Sequence, residues 1–257
     1  MARFAGFQIV VAALLSFGAL PTQLLFAAEG AAVRAAEPQP SYILVGFVGG
    51  FVRHTNPHHG PVVLAKDIER YSPKNSFIQV FENRHRKSAY RAILRELDTN
   101  HDKVLSPEEK SHARIILFGQ SWGASAVVLL ARELDREGIP VLLTVQVDSI
   151  AKPWQDDDVI PDNVSAAVNF YQPHGLLHGQ KIIRAADTSK TQILGNYRYD
   201  YKLFPVKCEG MPWLDRKITP DHMQSECDPH LWREVETLVR QRLGSEPDSL
   251  ASMPRPQ

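Results

Sequence analysis

Short apolar stretches alternate along the chain with segments in which apolar residues recur at helical spacing. The apolar stretches predict buried β-strands; they are Tyr42–Val45, Ser76–Phe81, Arg114–Phe118, Val141–Val147 and Val164–Tyr171. The segments between them predict helices over Pro61–Ile68, Lys87–Leu97 and Trp122–Glu137, and a last helix that Asp228 caps. Lys87–Leu97 and the last helix have an apolar stripe, whereas Trp122–Glu137 has a long apolar stretch and is expected to be buried. Strands that alternate with helices predict an α/β fold, with a mostly parallel sheet and helices on both faces.

The N-terminal segment has a different pattern from the rest of the chain. Arg3 gives a positive start, Phe7–Leu20 is almost uninterruptedly apolar, and small residues follow. This order is typical of a secretory signal peptide, so we expect one over residues 1–28, then a flexible leader over residues 29–40. The alternative is a retained membrane anchor, but the apolar run is short for a spanning helix and Pro21 interrupts it. We expect a secreted or periplasmic protein without a stable membrane span.

The composition is ordinary for a globular protein and adds few constraints. The 257 residues include 29 Lys and Arg against 29 Asp and Glu, so the formal net charge is +0. This balance offers no strongly basic surface, and we expect no nucleic-acid partner. No Gly/Ser-rich or Pro-rich linker divides the middle of the chain, which favours one domain over residues 41–244 and a disordered tail over residues 245–257. Oligomeric state is left open.

Two cysteines, Cys208 and Cys227, are present. An isolated pair in an exported protein favours a disulfide over two free thiols. The bond would close a loop of about 20 residues and contribute roughly 3 kcal/mol of stability. His222 lies within that loop.

The sequence Gly119-Gln120-Ser121-Trp122-Gly123 fits the pattern G-x-S-x-G between a predicted strand and a predicted helix. Such a sharp strand-to-helix turn holds the serine in a strained conformation, and the glycines let the two backbones approach each other. The serine hydroxyl then lies at a helix N-terminus, which stabilises negative charge. In this context the chain resembles α/β-hydrolase-fold serine hydrolases over roughly Tyr42 to Leu243. The alternative is a tight turn with an incidental serine.

The resemblance implies that Ser121 is a nucleophile and that an acid and then a histidine follow it in the chain. His222 is the predicted base, because it lies in a loop just before the last predicted helix, where the family has its histidine. His174 and His178 follow the fifth strand too closely, and His230 lies inside the last helix.

Asp148 is the predicted acid, because it ends the strand after the elbow helix. Most members of the family have the acid one strand later, where this chain has Asn169–Pro173 and no carboxylate. Asp148 matches the less common arrangement of pancreatic-type lipases. Asp157 and Asp187 are the alternatives.

The resemblance also implies an oxyanion hole formed by two backbone N–H groups. One donor is expected from Trp122, the residue after the nucleophile. The other is expected from the loop after the first strand, near Phe47 or Val48. Neighbouring glycines in that loop let the backbone come close to a substrate.

The segment from Asp98 to Glu109 resembles an EF-hand calcium loop. Oxygen-bearing groups fall at the ligand positions of such a loop; they are Asp98, Asn100, Asp102, the carbonyl of Val104, Ser106 and Glu109. Lys103 stands where these loops normally have a glycine, which costs on the order of 1 kcal/mol. We expect a structural calcium ion away from the chemistry, and the alternative is an acidic turn that binds no metal.

A second possible metal site is weaker. His54, His58 and His59 lie in a Pro-containing loop, and no helical spacing brings their rings together. We interpret this loop as solvated or as the rim of a cleft.

These features together predict an exported serine esterase or lipase that cleaves a carboxylic ester or thioester through an acyl-enzyme. We expect a small-molecule or lipid ester as substrate and no cofactor for the chemistry. The alternatives are a non-catalytic, calcium-stabilised binding protein on the same fold and an acyltransferase that uses the same residues. The sequence does not favour any acyl-chain length.

Overall fold

The computed structural model describes residues 42–211 and 217–244. The predicted signal peptide, leader and C-terminal tail lie outside these residues. The strands are β1 Ile43–Val48, β2 Phe77–Glu82, β3 Ile115–Gln120, β4 Leu143–Val147, β5 Val159–Ile160, β6 Ala166–Tyr171, β7 Arg184–Ala185 and β8 Gln192–Arg198. The helices are α1 Gly60–Glu69, α2 Arg86–Leu97, α3 Pro107–Ser111, α4 Trp122–Arg136, α5 Pro220–Cys227 and α6 Pro229–Leu243, with a 3-10 turn at Asn83–His85.

Within the described residues, six strands form one sheet in the order β2-β1-β3-β4-β6-β8. Every neighbouring pair in this sheet is parallel. The strands β5 and β7 form a separate parallel pair. A parallel sheet of this kind must have both faces covered.

Alternate residues of β1 show how the two faces are buried. Ile43, Val45 and Phe47 belong to an apolar cluster with α2 and α4. Leu44 and Val48 belong to a second cluster, with α1 and α6 on the opposite face. These layers confirm the prediction of a mostly parallel sheet covered by helices on both faces.

The turn from β3 into α4 brings two backbones very close together. A Cβ atom added at Gly119 would lie 2.5 Å from the carbonyl oxygen of Gly123, and one at Gly123 would lie 2.3 Å from that of Phe47. Real Cβ atoms do not approach backbone this closely, so both positions require glycine. The glycines of the G-x-S-x-G pattern therefore let α4 start directly against β1 and β3.

Several elements differ from the sequence prediction, among them the short strands β5 and β7, which were not predicted. The edge strand β8 was not predicted, and the segment predicted as a loop before the last helix contains the short helix α5. Pro220 begins α5 at a position where a missing N–H costs little. His222 therefore lies in the first turn of a helix and not in a loop.

A disulfide joins Cys208 to Cys227, as predicted. Cys227 is the last residue of α5, so the bond ties the C-terminal end of this helix to the segment before it. In residues 42–211 and 217–244 no helix is both long and apolar enough to cross a membrane.

Removing the disulfide should destabilise the protein and disturb α5. For the double variant Cys208→Ser, Cys227→Ser we expect the free energy of unfolding to fall by about 3 kcal/mol, because the unfolded chain loses a cross-link between residues 19 apart. Urea unfolding of both proteins measures this difference. Dithiothreitol should shift the wild-type transition and leave that of the variant in place; equal transitions without the reductant would contradict the expectation.

Candidate active site

A cavity of about 780 Å³ opens at the edge of the sheet where the central parallel strands end. Residues that directly follow β1, β3 and β4 meet at this edge; they are Gly49, Ser121 and Asp148. Helix α5 approaches the same edge, and both Ser121 and His222 line the cavity. The fold therefore brings side chains that lie far apart in sequence to a single site.

Ser121 is held in an unusual backbone conformation, with φ of 57° and ψ of −128°. A non-glycine residue rarely adopts a positive φ, and such strain is typical of functional sites. Its N–H donates to the carbonyl of Val147 at 2.9 Å, which ties the turn to the end of β4. The residue is 7% exposed, so its hydroxyl is reached mainly through the cavity.

Ser121, His222 and Asp148 form a continuous chain of hydrogen bonds. Nε2 of His222 lies 2.9 Å from Oγ of Ser121, and Nδ1 of His222 lies 2.6 Å from Oδ2 of Asp148. All three side chains are buried. A histidine held between a hydroxyl and a carboxylate can take a proton from the hydroxyl while the carboxylate orients its ring.

Asp148 is fixed by several donors besides His222. One carboxylate oxygen accepts from the N–H of Gly179 at 2.6 Å and from that of Gln172 at 3.3 Å, and the other accepts from the Gln172 amide at 3.1 Å. A Cβ atom at Gly179 would lie 2.4 Å from Oδ1 of Asp148, so glycine is required for this contact. These donors hold the carboxylate in one orientation without exposing it to water.

The alternative acids make other contacts. Asp157 accepts from the hydroxyl of Ser149 at 2.5 Å, and burial raises its pKa above the ordinary value. Asp187 accepts from the N–H and the hydroxyl of Ser189 near the surface. Neither carboxylate is bonded to His222.

The other late histidines also lie elsewhere. His174 pairs with Asp200 at 3.2 Å, and His178 lies 3.3 Å from the carbonyl of Gly175. His230 is an exposed residue of α6. Only His222 among these four contacts Ser121.

The loop after β1 reaches the cavity at Gly49, and the oxyanion-hole donors stay a prediction. Phe47 and Val48 are the last residues of β1, and neither lines the cavity. Gly49 does line it, and a Cβ atom there would lie 2.7 Å from Cβ of Ser121. The Asn83 amide donates to the carbonyl of Gly50 at 2.6 Å and so fixes this loop. Gly49, which directly follows Val48, is therefore the residue of this loop that lies beside Ser121.

Two buried residues of the cavity wall were not predicted. His59 and Glu226 are each 3% exposed, and Nδ1 of His59 lies 2.7 Å from Oε1 of Glu226. The sequence placed His59 in a solvated loop or at a cleft rim and gave Glu226 no role. The one available signal was that Glu226 follows His222 by four residues, which places both on the same face of a helix.

The EF-hand-like loop connects α2 to α3, and Lys103 has the positive φ (69°) that glycine normally supplies. Glu109 accepts hydrogen bonds from Ser106 and Thr99. These bonds, chiefly those from Ser106, lower the pKa of Glu109 to about 2. The carboxylate of Asp98 accepts from the N–H groups of Asp102 and Lys103. Among the described residues no group of three or more His, Cys, Asp or Glu side chains could hold a metal ion. The carboxylates of this loop thus accept hydrogen bonds from N–H and hydroxyl groups of the same loop.

Calcium binding by this loop stays a prediction, and calorimetric titration at millimolar calcium tests it. If the loop binds, heat of binding should appear for the wild type and for Glu108→Gln, and it should disappear for Glu109→Gln. Absence of heat from the folded wild type would remove the prediction.

No protein-family model matches the chain, and a search of curated proteins finds no match. Solved structures of similar overall fold include a cutinase-like protein from Cryptococcus sp., at 12% identity and a TM-score of 0.42, covering 81% of this chain and 97% of that one. An esterase/lipase from an uncultured bacterium has 12% identity and a TM-score of 0.40, with 80% and 78% covered. The RedJ thioesterase of Streptomyces coelicolor has 13% identity and a TM-score of 0.34, with 82% and 97% covered.

Proposed function

We propose that the chain is an exported serine hydrolase that cleaves a carboxylic ester or thioester. The observation that carries the proposal is the chain of hydrogen bonds from Ser121 through His222 to Asp148 at the base of an open cavity. The low similarity to solved structures adds no support for any particular activity. Export is proposed from the N-terminal sequence pattern, and the disulfide is compatible with it.

In the proposed reaction the Ser121 oxygen attacks the substrate carbonyl while His222 takes the hydroxyl proton. The carbonyl oxygen becomes an oxyanion near the N–H of Trp122 and the loop at Gly49. His222 then gives its proton to the leaving alcohol or thiol, and an acyl-enzyme remains on Ser121. A water molecule, activated by the same histidine, attacks the acyl-enzyme and releases the acid.

The surroundings of the three residues fit these roles. Asp148 accepts the Nδ1–H of His222, so Nε2 is left as the acceptor that faces Ser121. Ser121 is also the residue that precedes the first turn of α4, where the helix dipole favours an oxyanion. Together these features support nucleophilic attack by Ser121 and formation of an acyl-enzyme.

Hydrolysis of nitrophenyl esters by the purified protein tests the proposal. We expect nitrophenol release from the acetate ester, and a series of acyl-chain lengths would define the acyl preference. If the folded protein released no nitrophenol from any ester or thioester in such a series, the proposal would be wrong.

A further inference from the structure

The cavity above Ser121 has two walls of different chemistry. The apolar wall contains Phe51, Trp122, Ile150 and Leu177. The aromatic rings of Phe51 and Trp122 meet edge to face, with 5.7 Å between their centroids. The polar wall consists of lining residues whose side chains are able to form hydrogen bonds; they are Arg53, Thr55, Asn56, His59 and Glu226.

His59 and Glu226 are the buried part of the polar wall. Their side chains are each 4% exposed, and Nδ1 of His59 bonds to Oε1 of Glu226 at 2.7 Å. Neither Nε2 of His59 nor the second oxygen of Glu226 makes a hydrogen bond to another described residue. Since both residues line the cavity, these two atoms remain for a ligand. A neutral imidazole with its proton on Nδ1 and a carboxylate oxygen would both accept from a hydroxyl group.

The backbone around this pair is held firmly. Nε1 of Trp232 donates to the carbonyl of Glu226 at 2.9 Å and to that of Ser225 at 3.1 Å. The Trp232 ring also packs against Gly60, the residue after His59, where an added Cβ atom would lie 1.9 Å from the ring. A buried ionisable pair is weak evidence for stability, because desolvation offsets the attraction between the partners. The place of the pair in the cavity wall instead favours a role in recognition of a ligand.

The position of His59 and Glu226 beside His222 indicates which half of an ester they would contact. His222 and Glu226 are four residues apart in α5, so their side chains lie on the same face, one turn apart. The proposed reaction requires His222 to protonate the leaving group, so the leaving group must lie beside His222. Glu226 and its partner His59 therefore lie on the side of the cavity that the alcohol half of an ester would occupy.

We propose that the substrate is an ester of a hydroxylated alcohol, of the polyol or sugar type, and that His59 and Glu226 accept hydrogen bonds from its free hydroxyl groups. Arg53 and Asn56, nearer the mouth of the cavity, supply donors to the same alcohol. The acyl group faces the apolar wall. This proposal rests on the proposed function and adds the class of alcohol.

Two matched pairs of substrates test the proposal on the wild-type protein. Glycerol monoacetate and propyl acetate differ only by hydroxyl groups in the alcohol half, and ethyl lactate and ethyl propanoate differ by one in the acyl half. We expect kcat/KM for glycerol monoacetate to exceed that for propyl acetate by about ten- to a hundredfold, the range expected for hydrogen bonds to a charged group. For ethyl lactate and ethyl propanoate we expect values of kcat/KM that differ by less than about threefold, because no hydrogen bond of this kind is proposed for the acyl half. Equal rates for the first pair, or a larger preference for the second, would overturn the proposal.

Variants of His59 and Glu226 test whether these two residues cause the preference for glycerol monoacetate over propyl acetate. Glu226→Gln should reduce the ratio between glycerol monoacetate and propyl acetate by about tenfold, because a neutral amide is a weaker acceptor. The double variant His59→Phe, Glu226→Leu should bring the ratio near unity, and it leaves no buried unpaired charge that could prevent folding. Glu69→Gln, on the exposed end of α1, is the matched control and should keep the wild-type ratio. A wild-type ratio in the folded double variant would contradict the role of the pair.

Turnover of p-nitrophenyl acetate distinguishes a failure of the proposed hydrolase function from a failure of the proposed class of alcohol. If the wild type turns it over but does not distinguish the two acetates, the class of alcohol is wrong and the hydrolase function stands. If it turns over no ester, the proposed function itself fails.

Discussion

Replacing Ser121 with alanine should lower kcat for ester hydrolysis by about four to six orders of magnitude, the range seen when a catalytic serine is removed. The substitution removes the oxygen that lies 2.9 Å from Nε2 of His222 and leaves no other nucleophile in that contact. Initial rates of nitrophenyl acetate hydrolysis by the wild type and the variant measure the difference.

Ser125→Ala is the matched control for this substitution. Ser125 is a buried serine one turn further along α4, and it does not line the cavity. We expect this variant to retain kcat within about threefold, because it leaves the reacting groups in place. If Ser121→Ala kept more than about a tenth of the wild-type rate while remaining folded, a role as nucleophile could not be maintained.

Asp148→Asn should lower kcat by about four orders of magnitude, the effect known for the corresponding change in serine proteases. The asparagine amide would donate towards Nδ1 of His222 and so move the ring proton to Nε2, which could then no longer accept from Ser121. The variant should also be less stable, because the N–H of Gly179 and the amide of Gln172 lose a charged acceptor. The rate at saturating ester, together with thermal unfolding, separates the two effects.

The two alternative acids provide the controls for Asp148. Asp187→Asn should keep the wild-type rate, because this carboxylate contacts Ser189 and Lys190 near the surface and does not contact His222. Asp157→Asn should change stability more than rate, because Asp157 is buried against Ser149 and not against His222. A loss of about four orders of magnitude in either control, with Asp148→Asn active, would move the acid to that residue.

The sequence was sufficient to predict the sheet, most helices, the disulfide and the turn at Ser121, because each has a local signal. Buried parallel strands are continuous apolar runs, and the elbow needs glycines at fixed positions. The edge strand β8 lacks such a signal. Its residues, Gln192–Arg198, mix polar and apolar types and are mostly half-buried, since one side of the strand has no neighbour in the sheet. Helix α5 is short and mostly polar, so its pattern was interpreted as a loop.

The arrangement of the active-site side chains depends on contacts between distant segments, which no local sequence pattern predicts. The order of residues along the chain left Asp148, Asp157 and Asp187 as possible acids. Of these three residues, only Asp148 bonds to His222, and the N–H of Gly179 holds its other carboxylate oxygen. His59 was interpreted as a solvated or rim residue because its loop is polar, whereas the packing of Trp232 on Gly60 buries it beside Glu226. Pairs of this kind arise from packing between distant segments, so the sequence alone could not reveal them.

The most direct measurement of the central claim is the intact mass of the folded protein after reaction with a fluorophosphonate, with Ser121→Ala treated in parallel. Such a reagent forms a covalent bond with a serine hydroxyl only when a neighbouring base activates it. We predict a single adduct on the wild type and none on Ser121→Ala. No adduct on the wild type, or an equal adduct on both proteins, would contradict the assignment of Ser121 as an activated nucleophile.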